Sequence, residues 1–152
     1  MNKKSENKNL TIGVGNDHAG YKLKVYLKER LKKRNIKCID VGCNSEESCD
    51  YPDYGHAVAE LIENYKCDYG IVVCGSGNGI NMAINKHKNV RSALCWNVEI
   101  ADLARKHNDA NVLALPARFI DKKKAFEIVK FFLNSNFEGG RHEKRVKKIS
   151  IF

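Results

Sequence analysis

A chain of 152 residues, 43% hydrophobic and 30% charged, can bury one core without disulfides or metals and is too apolar for a disordered polymer. It contains no run of about 18 apolar residues, which excludes a helical membrane span. Its formal charge of +9 invites a nucleic-acid reading, but the excess is concentrated: residues 22–37 hold eight basic residues against one acid, and residues 141–152 hold five against one.

Residues 1–9 are polar and lysine-rich, lack the apolar stretch of a secretory signal, and read as a disordered tail. From there, residues 10–152 read as a single domain. A first strand is expected over 10–15, followed by Asn16-Asp17-His18-Ala19-Gly20 and a helix over 20–34. Asp17 can cap that helix by accepting its orphan N–H groups, or it can join His18 in contacting hydroxyls or a phosphate. Within the helix, Lys22, Lys24, Lys28, Lys32 and Lys33 surround an apolar stripe of Leu23, Leu27 and Leu31. That arrangement reads as a solvated face, because nucleic-acid binding would place aromatic platforms or a docking motif beside the charge.

A strand over 36–41 and a polar loop over 43–52 lead to a helix over 54–65. Residues 69–74 form the most apolar strand, and Cys74-Gly75-Ser76-Gly77-Asn78-Gly79-Ile80 follows it. Glycines at 75, 77 and 79 let the backbone turn tightly and approach a ligand, and N–H groups at a helix start can hold an anion or a developing oxyanion. The loop lacks both the Walker A ending and dinucleotide-binding spacing. A thiol at this strand end is expected to have its pKa pulled down by the helix N-terminus and to serve as base or nucleophile. The alternative is a small buried hydrophobe.

A helix over 80–86, a strand over 90–95 and a helix over 98–106 come next. His107 and Asn108 then stand just before a strand over 112–115, at the opposite sheet edge from Cys74. After a helix over 122–133, a short basic helix is expected over 141–151, packing on a second subunit. Arg141 and Arg145, four apart, would present two guanidinium forks on one face, suited to a phosphate monoester; a solvated tail is the alternative. The six cysteines show no Cys-x-x-Cys pair and no zinc spacing, so the thiols are read as reduced and the protein as cytoplasmic. Short apolar strands between helices indicate an α/β, Rossmann-like three-layer sandwich around a parallel sheet of about five strands, with ligands at the strand carboxyl ends.

Taken in order, Asp17-His18, Asp50-Tyr51-Pro52, the Cys74–Ile80 loop, His107-Asn108-Asp109-Ala110-Asn111 and Gly139-Gly140-Arg141-His142 resemble the type B ribose-5-phosphate isomerases, a family shared with the galactose-6-phosphate isomerase subunits. The resemblance covers about residues 10–149. It implies a cofactor-free interconversion of ribose and ribulose 5-phosphates, as in the pentose phosphate pathway, by a homodimer or dimer of dimers with shared active sites. It implies Cys74 as the base of an enediolate mechanism, Ser76 with the N–H groups of Gly75, Gly77, Asn78 and Gly79 as anion hole, and His107 as the ring-opening residue. Asn108, Asp17, His18 and Tyr51 would contact substrate. Arg141 and Arg145 would clamp the phosphate, joined by Arg118 from the partner subunit. Ser76 stands where many members carry threonine. Some members replace the cysteine by a glutamate just after the loop; here that position is Ile80. An isomerase of six-carbon sugar phosphates, allose or galactose 6-phosphate, is the alternative within the family. A basic nucleic-acid-binding module using residues 22–37 is the alternative outside it.

Overall fold

A computed structural model describes residues 9–152, so the tail expected over 1–9 lies, but for Asn9, outside the described residues. Five parallel strands form one sheet: β1 (Thr11–Asn16), β2 (Lys37–Asp40), β3 (Tyr69–Cys74), β4 (Ser92–Leu94) and β5 (Val112–Pro116), in the order β2-β1-β3-β5-β4. The three central strands are buried nearly throughout, as continuous apolar runs covered on both faces must be. On one face lie α1 (Tyr21–Lys32), α4 (Val98–Asn108) and α5 (Lys122–Asn134), with Leu27, Ala101, Ile128 and Phe132 fully buried against Ile12, Ile71 and Leu113. On the other lie α2 (Tyr51–Glu63) and α3 (Asn78–Ile84), burying Val58, Ile80 and Ile84 against Val72 and Ala114. The expected three-layer parallel sandwich is the observed one.

Element ends differ from the sequence expectations for local reasons. Helix α2 starts at Tyr51 rather than 54, because Pro52 sits in its first turn, where no N–H is needed. Strand β4 is shorter than 90–95, since side chains take its entry: the N–H of Arg91 donates to Asn111 Oδ1 (2.8 Å) and that of Ser92 to Asn85 Oδ1 (2.8 Å). A last helix, α6 (Arg141–Lys147), ends four residues before 151 and packs on α4 of its own chain.

One residue of the expected solvated face is not solvated. Lys24 is 1% exposed; its ammonium reaches Asp40 (3.3 Å) and donates to the Cys43 carbonyl beyond β2. Lys22 and Lys32, on the same helix, do face solvent.

No helix among the described residues is long and apolar enough to cross a membrane.

Candidate active site

The strand order reverses direction between β1 and β3, and ligands of open parallel sheets sit outside the carboxyl ends at such a point. Asp17 follows β1 there and Cys74 closes β3. The Asp17 N–H donates to the Val73 carbonyl (3.2 Å), which pins the two strand ends together. Asp17 Oδ1 accepts from the Gly20 N–H (3.1 Å), so it caps the short 3-10 turn His18–Gly20 that leads into α1 rather than α1 itself, whose N-cap is Gly20. His18 is turned toward the β2–α2 loop, where its Nδ1 accepts from the Cys49 N–H (3.2 Å).

The glycine loop wraps the Cys74 sulfur. Gly77 takes a left-handed φ of +75°, and a Cβ there would stand 2.4 Å from Leu94, so only glycine closes this turn. At Gly79 a Cβ would fall 2.5 Å from the Tyr51 ring, so the ring's approach to the loop depends on glycine there. Ser76 Oγ accepts from the Asn78 N–H (3.3 Å), leaving its own hydroxyl proton to donate outward.

The electrostatics of Cys74 correct the sequence expectation. Burial is the largest influence and raises its pKa; the backbone N–H of Ile80 lowers it, the Asp17 charge raises it, and the N–H groups of Gly77 and Ser76 lower it. The balance lies above the ordinary thiol value, not below it, because the thiol of a residue only 4% exposed loses more hydration than the loop restores.

The resemblance draws Arg118 from the partner subunit; within its own chain the guanidinium lies over Gly75, 3.0 Å from where a Cβ would be. The cause is backbone pairing after β5: the Ala117 N–H donates to the Cys74 carbonyl (2.9 Å) and the Arg118 N–H to the Gly75 carbonyl (3.0 Å).

His107 and Asn108 lie at the other sheet edge, as expected, and α6, which carries Arg141 and Arg145, packs beside them on α4. His107 lies in the last turn of α4, and its ring stacks on that of His142 at 4.1 Å with planes 10° apart. Glu138, which the sequence reading passed over, sets a carboxylate oxygen 3.8 Å from Nε2 of each ring. Burial, then His107 and Arg141, holds the His142 pKa below the usual histidine value. The donor atoms of His107, Glu138 and His142 lie within 4.8 Å of one another, a spacing that metal ligands also show. The rings, however, are nearly parallel. A ligated metal lies in the plane of each imidazole, and stacked planes share no such point, so the cluster is a stacked histidine pair with a carboxylate partner.

Residues 12–149 match a family described as Ribose/Galactose Isomerase. The chain is 40% identical to ribose-5-phosphate isomerase B of Escherichia coli over 139 residues, which covers 91% of this chain and 93% of that protein. Among solved structures, a ribose 5-phosphate isomerase from Thermotoga maritima superposes with a TM-score of 0.91 at 45% identity, covering 92% of this chain and 97% of that one. Ribose-5-phosphate isomerase B from Mycoplasma genitalium, solved with bound ribulose-5-phosphate, gives a TM-score of 0.87 at 42% identity, covering 93% and 94%.

Proposed function

The chain belongs to the ribose/galactose isomerase family, and from that premise we propose that it interconverts ribose 5-phosphate and ribulose 5-phosphate through an enediolate. The observation that carries the reading is Cys74 at the end of β3, ringed by backbone N–H groups of Ser76, Gly77 and Ile80 and set beside Asp17 at the strand-order reversal.

A proton alpha to a carbonyl leaves only if a positioned base takes it and the oxygen that gains the electrons is stabilised. In this reading the Cys74 thiolate removes the C2 proton of the open-chain aldose, and the electron pair moves through C1 onto its oxygen. The loop N–H groups and the Ser76 hydroxyl hold the enediolate. The C2 hydroxyl proton passes to O1, and the thiol returns its own proton to C1, leaving a hydroxyl at C1 and the carbonyl at C2. Before that, His107 opens the furanose ring, with Asn108 on the sugar. Asp17, His18 and Tyr51 hold substrate beside the glycine loop, Gly75 to Gly79. Arg141 and Arg145 grip the phosphate with Arg118, and this binding energy orients the reacting carbons.

His107, Arg141 and Arg145 lie across the sheet from Cys74, which favours a homodimer, or a dimer of dimers, in which each site joins two chains. The six free thiols favour the reducing cytoplasm. Nothing in the chemistry calls for a metal or an organic cofactor, and no nucleic acid is needed as partner.

The test is ribulose 5-phosphate formation from ribose 5-phosphate, with allose 6-phosphate run beside it. Turnover of the pentose phosphate is expected, and Cys74→Ala is expected to lower kcat by at least about a hundredfold, since a general base contributes about 10²–10⁴. Substantial turnover by that variant would falsify the base assignment.

A further inference from the structure

Among the described residues, Lys24 is the largest fully buried side chain, and it is charged. An ammonium removed from water needs partners; this one lies 5.4 Å from the centre of the Tyr21 ring on its own helix, and the groups it hydrogen-bonds stand at the end of β2 and just beyond it. Its Nζ lies 3.3 Å from each oxygen of Asp40 and donates to the Cys43 carbonyl. Asp40 is a hub: Lys28 reaches Oδ2 at 2.7 Å and the Gly42 N–H reaches Oδ1 at 3.0 Å. Burial alone would raise the Asp40 pKa; the Lys28 bond, the Gly42 N–H and Lys24 together hold it below the usual carboxylate value. Asn16 clasps the same turn from β1, taking the Cys43 N–H on its carbonyl (3.2 Å) and donating through Nδ2 to the Cys43 carbonyl (3.4 Å). Six residues on, the Cys49 N–H meets Nδ1 of His18 at 3.2 Å.

A backbone N–H can only donate. A His18 ring that accepts it on Nδ1 carries its proton, when neutral, on Nε2. We propose that Lys24 is a positioning residue of the isomerase: by anchoring the Cys43 carbonyl it holds the β2–α2 loop so that the Cys49 N–H fixes His18 as the Nε2–H tautomer, and that N–H is what donates to the sugar phosphate. The proposal rests on the isomerase reading, in which His18 touches substrate. It gives the buried charge a purpose that packing does not, because a leucine or methionine would fill the same space without the cost of desolvation.

Two measurements test it in the full-length protein. Two-dimensional 1H–15N spectra of the histidine side chains of the wild type are expected to show His18 protonated on Nε2 and bare on Nδ1; an Nδ1–H tautomer overturns the proposal whether or not any variant folds. Kinetics of Lys24→Met with ribose 5-phosphate are expected to show KM raised by about tenfold, the loss of one good hydrogen bond, with kcat within about twofold of wild type. Lys24→Arg, which keeps the charge, is expected to restore most of the KM. A Lys24→Met protein that melts lower but keeps the wild-type KM and tautomer marks Lys24 as structural only and overturns the proposal. Absence of any wild-type turnover fails the isomerase reading itself, and the tautomer spectrum separates that outcome from failure of the Lys24 link.

Discussion

At the scale of single residues, two buried thiols show what the glycine loop does. Cys95 is wholly buried just past β4, and burial, acting alone, pushes its pKa up to about 12. Cys74 is nearly as buried and is also raised, but three backbone N–H groups pull against burial there and only the Asp17 charge reinforces it. The loop therefore keeps ionisation of one cysteine within reach while leaving most of the resting enzyme as thiol. That has a pH signature. A base must lose its proton before it can work, and a pKa above the ordinary value moves that loss to higher pH, so the active fraction grows as pH rises. Because kcat/KM reports the free enzyme, it is expected to be still climbing at about pH 8.5, the ordinary thiol value. A profile already level from neutrality upward would mean that substrate-free Cys74 ionises more easily than its burial dictates.

At the scale of elements, the legible parts were those written in local pattern. The run Tyr69–Cys74 has no polar alternation and could only be a strand covered on both faces, and the glycines after it could only turn. What could not be read depends on strand order. Arg118 meets Gly75 because β5 lies beside β3 although β4 comes between them in the chain. Lys24 sits in a basic run and looks solvated until Asp40, sixteen residues away, is folded beneath it. Asp109 is a third case. It ends α4 with a left-handed φ of +47°, and its carboxylate joins Arg105 of the helix (2.8 Å) to Arg91 at the entry to β4 (3.1 Å). Arg105 is buried; it also donates to the Ala110 carbonyl (2.7 Å) and to the Tyr69 hydroxyl (3.1 Å). Arg105 is buried but the Asp109 carboxylate is 35% exposed, and Arg105 keeps its bonds to Ala110 and Tyr69, so Asp109→Ala is expected to cost about 2 kcal/mol in denaturant unfolding, the scale of a hydrogen bond to a charged group. It also releases the helix end that carries His107 and Asn108, so kcat for the cyclic sugar should fall as well. A loss below about 0.5 kcal/mol, the scale of an exposed pair, would show that solvent already screens this junction.

At the scale of the whole molecule, the decisive quantity is the depth of the sheet. Gly70 pairs with Val112 and Cys74 with Pro116, so four residues of extended chain separate the edges, about 13 Å at 3.3 Å per residue. His107 lies before Val112, beyond the far edge, and Arg141 and Arg145 belong to the helix that packs beside it. A five-carbon sugar phosphate cannot bridge the strands of a filled core, so one chain cannot bring Cys74 and His107 to the same substrate. In an isologous dimer the second chain can supply the missing half, and both sites are then mixed. Cys74→Ala and His107→Ala are each expected to be nearly inactive alone. Unfolded, mixed in equal amounts and refolded together, they should recover activity. Random pairing makes half of the dimers heterodimers, each with one site carrying both lesions and one carrying none, which amounts to roughly a quarter of the wild-type activity. If Cys74 and His107 served the same site from one chain, every site in the mixture would keep a lesion and nothing would be recovered. The amount regained thus measures how the site is divided between chains without any need to see the interface.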